Sequence, residues 1–390
     1  MISTMTPSKR LLTCLLGLFV VAAGAAAVDT ERPVSARAQR VVYIGTYTGE
    51  MSKGIYAFRF DDSSGELTPI GLVAETPSPS WLTSSTNGRF VFAANELQSF
   101  GDAASGSVTS FSVDPSTAKL TEISVQPSRG AGPCHLALDR TGRYLAVANY
   151  GGGNYALLPV GSDGRLQPAT SVIAGDVSET PPPKPLGHSV GFDAGNRFLV
   201  TGDKGLNRML VYRFDVSTGA VTPNQPASTQ LPPKSGPRHF AFHPNGKWLF
   251  TISEQAATIT TFSWNETTGS LTASSSVPTR PEGVTTGSTA EIAVHPSGRF
   301  VYGSNRGHDS IAVFRVGDAG ALTLVEHEAT RGQTPRNFAL DPSGRWLIAA
   351  NQRSNSLAVF SIDQTTGALT PVGPLSSVGS PVSVLFMEGR

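Results

Sequence analysis

A short turn motif recurs every 45 to 54 residues along most of this 390-residue chain, and this repeat limits the possible folds more than any other feature of the sequence. In the complete copies, Gly or Asn precedes Arg or Lys and an apolar run follows; they close at Arg89, Arg143, Arg197, Lys247, Arg299 and Arg345. Incomplete copies stand at the two ends, at Arg40 and Arg390. Eight copies therefore enclose seven units of similar length.

Each unit has the composition of four short β-strands. One apolar strand precedes the turn, as in "HFAF" at residues 239–242, and another follows it, as in "WLFTIS" at residues 248–253. The second half of a unit is a β-branched and aromatic strand, a polar turn and a further short strand, as in "LAVFSIDQTTGALTPV" at residues 357–372. No helical periodicity follows residue 40.

The repeat predicts an all-β fold, a seven-bladed β-propeller of four-stranded antiparallel blades. The last unit ends in "SVLFM" at residues 383–387, the type of strand that precedes a turn, whereas the first begins with "VVYIG" at residues 41–45, the type that follows one. Pairing of these N- and C-terminal strands would complete one blade and close the ring, leaving no open sheet edge. We therefore expect residues 40–390 to form a single domain.

The N-terminus has the pattern of a secretory signal peptide over residues 1–27. A positive segment at Ser8-Lys9-Arg10 precedes an apolar run, and small residues at Ala25-Ala26-Ala27 offer a cleavage site. An uncleaved membrane anchor is the alternative, but the run is short for a span and fades into alanines. We expect cleavage, a short linker over residues 28–39, and an exported protein, periplasmic or secreted, with no stable membrane insertion afterwards.

The composition excludes several other classes of function. The formal net charge is +1, with no basic excess that would favour nucleic acid. The chain has two cysteines, and Cys14 would leave with the signal peptide, so Cys134 alone would remain. An intramolecular disulfide and a cysteine metal site are then not possible.

Polar residues that differ from unit to unit indicate a site. The seventh residue after each turn Arg or Lys lies just beyond an apolar strand, and these positions share no residue type: Tyr47, Glu96, Tyr150, Lys204, Glu254, Arg306 and Gln352. A second ring lies nine residues before each turn: Ser80, Cys134, His188, Arg238, Ala290, Arg336 and Pro381. A third lies eight residues before: Trp81, His135, Ser189, His239, Glu291, Asn337 and Val382.

Antiparallel hairpin geometry brings all three rings to one end of the central channel, because the innermost strand begins where its partner ends. Since adjacent strand residues face opposite ways, we expect one of the last two rings to face the channel mouth and the other a blade interface. Solvated loop charge is the simpler interpretation of any single residue here. Convergence of many titratable groups favours a site. By contrast, His243 and His295 take the place of Asp139 in other units and are expected to serve the turn.

Three segments, "GPRHFAFHPNGKWLFTISE", "AEIAVHPSGRFVYGSNR" and "TPRNFALDPSGRWLIAANQ", closely resemble blades of the seven-bladed propeller lactonase family, which includes bacterial 6-phosphogluconolactonases and the fungal carboxy-muconate lactonizing enzyme. The resemblance covers about residues 40–390. It implies a catalytic site at His188, Arg238, Glu254 and Arg306, and it matches charged positions at Lys204 and Arg336. It also implies hydrolysis of a sugar-acid lactone such as 6-phosphogluconolactone or a related aldonolactone, while the export signal argues against a phosphorylated natural substrate.

Opening a lactone needs an activated water, stabilisation of the carbonyl oxygen and a proton for the leaving alkoxide. Glu254 or His188 is the expected general base, while Arg238 and Arg306 would bind an acid group and the oxyanion. His135 and His239 are alternatives for the acid, and we place them among the substrate-binding residues with Lys204, Arg336, Glu96 and Tyr150.

Direct attack by water is favoured because no Gly-x-Ser-x-Gly nucleophile motif occurs. We expect no metal and no other cofactor, since no close-spaced ligand motif appears. The expected partner is a small lactone. Two alternatives stay open: a muconolactone-type cycloisomerase, and a propeller that binds a ligand or serves as a scaffold without chemistry.

Overall fold

The computed structural model describes residues 39–174 and 183–387, which form seven sheets of four antiparallel strands. The predicted signal peptide and the linker up to residue 38 lie outside the described residues. From the channel outward, blade 1 consists of β28 (Pro381–Phe386), β1 (Gln39–Thr46), β2 (Gly54–Asp61) and β3 (Leu67–Glu75). Blades 2 to 4 follow in the same order with β4 (Pro79–Ser84), β5 (Phe90–Asn95), β6 (Ser107–Val113), β7 (Leu120–Pro127); β8 (Pro133–Leu138), β9 (Tyr144–Asn149), β10 (Asn154–Pro159), β11 (Ser171–Ala174); and β12 (Gly187–Phe192), β13 (Phe198–Asp203), β14 (Arg208–Asp215), β15 (Ala220–Gln230).

Blades 5 to 7 repeat this arrangement. They contain β16 (Pro237–Phe242), β17 (Trp248–Ser253), β18 (Thr258–Asn265), β19 (Ser270–Pro278); β20 (Ser288–Val294), β21 (Phe300–Arg306), β22 (Ser310–Val316), β23 (Leu322–Ala329); and β24 (Pro335–Leu340), β25 (Trp346–Asn351), β26 (Ser356–Ile362), β27 (Leu369–Ser377). A single 3-10 turn, Asp318–Gly320, is the helical element of the described residues. The seven-bladed propeller predicted from the repeat is confirmed.

The two ends of the chain share blade 1, as the sequence predicts. β28 pairs antiparallel with β1, and Ile44 lies opposite Val384 in this ladder. Ser383 also accepts a hydrogen bond from the backbone N–H of Leu82, 3.0 Å away, so the closing strand is joined to blade 2 as well. The last strand of the chain therefore locks the first two blades together.

The hydrophobic core is divided into seven clusters, one in each interface between neighbouring blades. Blades 6 and 7, for example, bury Phe300, Tyr302, Leu347 and Phe360 against each other. The second strand of each blade is buried on both faces, which explains why segments such as Phe90–Asn95 have little polar alternation. Packing of blade on blade thus holds the ring, and the strand ends around its axis remain available for a site.

The Gly-Arg turns lie at one end of the inner strands, which we call the turn end. A polar residue at the start of each turn hydrogen-bonds to the backbone of that turn. Asp139 accepts hydrogen bonds from the backbone N–H groups of Thr141, Arg143 and Tyr144 at 2.7 to 2.9 Å. Where His replaces Asp, Nδ1 of His295 accepts from the backbone N–H of Ser297 and Nε2 donates to the carbonyl of Gly344 in the next blade. These histidines serve the turn.

No helix among the described residues is both long and apolar enough to cross a membrane.

Candidate active site

Every inner strand contains a β-bulge near its first residue, at the end of the channel opposite the Gly-Arg turns; we refer to this end as the mouth. In β16, Pro237 pairs with Ser253 and His239 with Ile252, so Arg238 is an extra residue. The same irregularity makes His188 extra in β12, Cys134 extra in β8 and Arg336 extra in β24. A bulge interrupts the alternation of side chains and redirects them.

The bulge overturns one expectation from the sequence. Alternation would send one of two neighbouring rings to the channel and the other to a blade interface. Instead, Arg238 and His239 line the same cavity at the mouth, as do Ser80 and Trp81. In the closing strand β28 the extra residue is Val382, not Pro381, so Val382 occupies the position that Arg238 has in blade 5.

Buried asparagines position the loops that lead into the mouth. Each is the last or the last but one residue of the second strand of its blade, is fully buried, and donates from its side-chain amide to a carbonyl of the loop that enters the same blade. The pairs are Asn149 with Ser128, Asn305 with Thr279 and Asn351 with Thr330, at 2.8 to 2.9 Å. Because the next residue in each case belongs to the ring after the turn, this clamp fixes Tyr150, Arg306 and Gln352 at the mouth.

Glu254 is the centre of the charged part of the site. Its Oε1 lies 2.6 Å from Nζ of Lys204, and its Oε2 lies 3.2 Å from both Nε of Arg238 and Nη2 of Arg306. Three neighbouring blades contribute these four residues, and the Glu254 side chain is only 17% exposed. Arg238 and Glu254 stand at the two ends of the β16–β17 hairpin, so their contact follows from the hairpin geometry that brings the rings to one end.

The charges of this cluster are fixed by their mutual attraction. Burial raises the pKa of Glu254, but Arg238, Arg306 and Lys204 outweigh it and lower the pKa to about 2. Burial lowers the pKa of Arg306 to about 10, which still leaves the guanidinium charged at neutral pH. Glu254 is thus a carboxylate whose two oxygens are both engaged by cations.

A second charged group lies on the other side of the mouth. Arg336 donates to the hydroxyl of Tyr47 at 2.7 Å and lies over its ring, and Tyr47 donates to Oε2 of Glu96 at 2.8 Å. Burial raises the pKa of Tyr47, so this hydroxyl stays protonated at neutral pH. Arg336 and Glu96 line the same cavity as His188 and Arg238. Together the mouth therefore presents four cations and two carboxylates, a balance that suits an anionic ligand.

Three histidines lie between the charged residues of the mouth and the interior of the channel. The ring of His239 lies 5.1 Å from that of His188 and 5.0 Å from that of His135, centre to centre. Burial, followed by Arg238, holds the pKa of His188 and of His239 well below the usual value; burial, followed by His239, does the same for His135. All three are neutral imidazoles at neutral pH, and each can accept a proton at one nitrogen.

Tyr150 completes the set predicted from the sequence. Its hydroxyl lies 3.4 Å from Nζ of Lys204, and its ring is 5.3 Å from that of His188. All ten predicted residues therefore belong to one continuous cluster around the mouth.

Glu291 was not predicted as a site residue, although it stands in the third ring. Its Oε1 lies 3.0 Å from Nδ1 of His239, and Asn337 donates to its Oε2. Tyr47 was passed over in the same way. Trp81, whose ring stacks on that of His135 at 4.0 Å, was also missed. All three stand at ring positions in the sequence, which could have marked them as candidates. Their contacts could not be inferred, because the partner residues belong to other blades.

A larger cavity, of about 770 Å³, enters the axis from the turn end of the inner strands. Its outer lining includes Arg140, Pro296 and Pro342 beside the turns. Its inner lining includes His135, Glu291 and Asn337. The layer that contains His239 thus separates the charged mouth from a wide channel on the opposite face.

Within residues 39–174 and 183–387, no three His, Cys, Asp or Glu side chains are grouped so that they could hold a metal ion. The groups at the mouth that can transfer protons or stabilise charge are carboxylates, imidazoles, guanidinium groups and the Lys204 ammonium, together with the hydroxyls of Tyr47 and Tyr150.

The comparisons with known proteins agree with this description. Residues 41–386 match the family described as "Lactonase, 7-bladed beta-propeller". A 6-phosphogluconolactonase of Bacillus subtilis is 33% identical over 350 residues, which span 89% of this chain and 98% of that protein. A 6-phosphogluconolactonase of Formosa agariphila is 32% identical over 76% of this chain and 85% of its own length.

Among solved structures, the periplasmic gluconolactonase of Pseudomonas aeruginosa is 32% identical and superposes with a TM-score of 0.83, covering 90% of this chain and all of its own. The family description matches residues 41–386, and the relatives share about a third of their residues with this chain over nearly the whole domain. The chain belongs to the seven-bladed β-propeller lactonase family.

Proposed function

We propose that this protein is a lactonase, a carboxylic-ester hydrolase that opens the ring of a sugar-acid lactone with water at the channel mouth. The observation that carries the proposal is the cluster around Glu254, in which one half-buried carboxylate is contacted by Lys204, Arg238 and Arg306 from three blades beside neutral histidines. The names of the relatives from Bacillus subtilis and Pseudomonas aeruginosa support the substrate class.

The cations supply electrostatic stabilisation of the transition state. Negative charge develops on the carbonyl oxygen when water adds to the lactone, and fixed guanidinium groups of Arg238 and Arg306 stabilise it without reorganisation of solvent. Arg336 and Lys204 bind the polar groups of the acid portion, helped by Tyr150 and Glu96. Because these side chains are already held by neighbours, little entropy is lost when the substrate binds.

The base is Glu254 or His188, and the two act differently. Glu254 has both oxygens in ion pairs, so it accepts a proton only when a substrate draws cations away from it and its pKa rises. His188 is a neutral imidazole that already lines the cavity, so it accepts a proton without the loss of an ion pair. The protonated base then returns the proton to the ring oxygen as the C–O bond breaks.

Export of the protein is part of the proposal. The signal-peptide pattern at residues 1–27 and the periplasmic relative of Pseudomonas aeruginosa support it. N-terminal sequencing of protein recovered from outside the cytoplasm should begin within a few residues after Ala27. Material that begins at Met1 would overturn this part.

The activity is tested on the purified mature protein with D-glucono-1,5-lactone and its 6-phosphate, measuring acid release after subtraction of spontaneous hydrolysis. We expect hydrolysis that a chelator does not reduce, and a higher kcat/KM for the unphosphorylated lactone if the protein works outside the cytoplasm. A muconolactone is the third substrate, because a product formed without net uptake of water would identify a cycloisomerase. Failure to accelerate any of the three reactions would sink the proposal and favour a binding propeller.

A further inference from the structure

Hydrolysis of a lactone at neutral pH releases a proton that must leave the site. Water donates its oxygen to the carbonyl carbon, the ring C–O bond breaks, and one of the two water protons ends on the new hydroxyl. The other belongs to the new carboxylic acid, which ionises and gives a carboxylate and one H⁺. The mouth is an unfavourable exit for this proton, because Lys204, Arg238, Arg306 and Arg336 surround it with positive charge.

A different route leads away from the mouth through two buried side chains. His239 lines the mouth cavity on one side, and its Nδ1 lies 3.0 and 3.1 Å from the two carboxylate oxygens of Glu291 on the other. Glu291 in turn lines the 770 Å³ cavity that opens at the turn end. His239 and Glu291 therefore span the layer that separates the charged mouth from the axial channel.

The pair is held rigidly in this position. Asn337 donates to Oε2 of Glu291 and accepts from the backbone N–H of Val384 in the closing strand, and the N–H of Ile292 donates to Oε1 of Glu291. Nη1 of Arg238 lies 3.1 and 3.4 Å from the two ring nitrogens of His239, which places the guanidinium over the face of the ring. Nδ1 of the imidazole thus faces Glu291, while Nε2 has the Arg238 guanidinium as its neighbour.

We propose that His239 and Glu291 form a proton exit that carries the acid proton of the product from the catalytic mouth to water in the axial channel. This inference rests on the proposed lactonase activity and adds a positioning and proton-accepting role for Glu291, which acts through His239. In the transfer, His239 accepts the proton at Nε2 and gives the proton on Nδ1 to the Glu291 carboxylate. Glu291 then releases it to channel water, and His239 returns to the starting tautomer when its ring nitrogens exchange protons with solvent or site water.

The electrostatics of Glu291 support such a transfer, whereas burial and Arg238 hold the pKa of His239 well below its usual value, so the imidazole passes the proton on without accumulating as imidazolium. Burial raises the pKa of Glu291 to about 7, although Arg238, the N–H of Ile292 and other neighbours lower it in part. A carboxylate with this pKa can both accept the Nδ1 proton of His239 and release it to water at neutral pH. The charged and titratable groups that act on the pair are Arg238, Arg306, Arg336, Glu254, His135 and His188.

The test compares the wild type with Glu291→Gln, Glu291→Asp and Thr83→Val, the last as a control elsewhere in the lining of the same cavity. The substrate is D-glucono-1,5-lactone at low buffer concentration, with imidazole then added as a small proton carrier. We expect Glu291→Gln to lower kcat at least about tenfold with KM nearly unchanged, because the amide keeps the shape but accepts no proton. Imidazole should restore much of this loss, Glu291→Asp should retain part of the activity, and Thr83→Val should match the wild type.

The wild type gives a second test that needs no variant. Its kcat at low buffer should fall as the pH drops below about 7, where Glu291 is already protonated, and added imidazole should lift it there. Wild-type kcat in Glu291→Gln, or a loss that imidazole does not restore and that accompanies a lower Tm, would refute the exit. If Glu291→Gln fails to fold, the wild type alone decides: a kcat that does not depend on the buffer concentration below pH 7 would also refute the exit. Absence of lactone hydrolysis by the wild type would instead refute the proposed function itself.

Discussion

The two ends of the inner strands are built on opposite principles. At the turn end the same contacts recur in blade after blade: Asp139, Asp193 and Asp341 each bind the backbone of their own turn, and His243 and His295 replace them with an equivalent bond. At the mouth, no two blades contribute the same set of side chains, and several of the bonds there join residues of different blades, as between Lys204 and Glu254.

This difference separates stability from function within one strand. A contact that every blade repeats stabilises the repeat unit, so its loss should cost free energy of unfolding and leave the chemistry intact. A contact that occurs once, between blades and around a cavity, serves a ligand. The following substitutions test that division.

The largest effect is expected for Glu254→Gln at the mouth. We expect kcat to fall by about 10² or more, because the variant loses the carboxylate that holds three cations in place and is a candidate base. Steady-state hydrolysis measures this. His188→Asn is the matched variant: if it loses activity and Glu254→Gln keeps most of it, His188 is the base and Glu254 only positions the cations.

Glu254 should contribute to stability as well as to catalysis, because its ion pairs are largely shielded from solvent. Its folded pKa of about 2 lies below the usual 4.5, so it stabilises the fold by about 3 kcal/mol above the unfolded pKa. This contribution should shrink as the pH falls from about 5 toward 2. Urea unfolding of the wild type and Glu254→Gln across this range measures it, and a difference that stays constant with pH contradicts the assignment.

Asp193→Ala at the turn end should lower the stability of the fold and leave kcat unchanged. Asp193 is fully buried and accepts from the backbone N–H groups of Gly195, Arg197 and Phe198 at 2.7 to 3.0 Å. Its removal leaves these donors without their partner and should cost about 3 kcal/mol of unfolding free energy. At a temperature where the variant is folded, kcat should equal that of the wild type. A loss of kcat in the folded variant would show that the two ends are coupled.

Arg336→Lys should raise KM about tenfold with a smaller change in kcat, because the ammonium keeps the charge but not the planar donor geometry. The contact of Arg336 with Tyr47 would also be weakened. Initial rates over a range of substrate concentrations measure the effect, and an unchanged KM would remove Arg336 from the substrate-binding set.

The smallest effect is expected for Tyr150→Phe. The hydroxyl makes one long contact of 3.4 Å with Lys204, while the ring contact with His188 survives the substitution. The change in kcat/KM should stay within about threefold. A loss of the size seen for Glu254→Gln would mean that this hydroxyl touches the reacting atoms.

The number of blades, the closure by the terminal strands and the position of the mouth could be predicted from the sequence because each follows from periodicity or from hairpin geometry. Arg238 and Glu254, for example, had to meet because they stand at the two ends of one hairpin. The bulge could not be predicted, since one extra residue at the start of a strand leaves the rest of the alternation unchanged.

The unpredicted bulge also explains why Val382, and not Pro381, takes the ring position in β28. Pro381 stands nine residues before Arg390, but the bulge in β28 makes Val382 the extra residue. Glu291 needed the fold as well, since its partner His239 stands 52 positions away in the neighbouring blade. The sequence repeat thus identifies the residues that differ from blade to blade, whereas their roles depend on contacts between blades.

The closing strand has a consequence for how the enzyme is made. β28 is the last strand to be synthesised, yet it completes the first blade and its Val384 holds Asn337, which in turn holds Glu291. Contacts between residues so far apart in the chain form slowly, because the entropy of closing a long loop must be overcome first. The residues around Glu254 belong to blades 4 to 6, whereas a chain without β28 would lose the strand that holds Asn337 and, through it, Glu291.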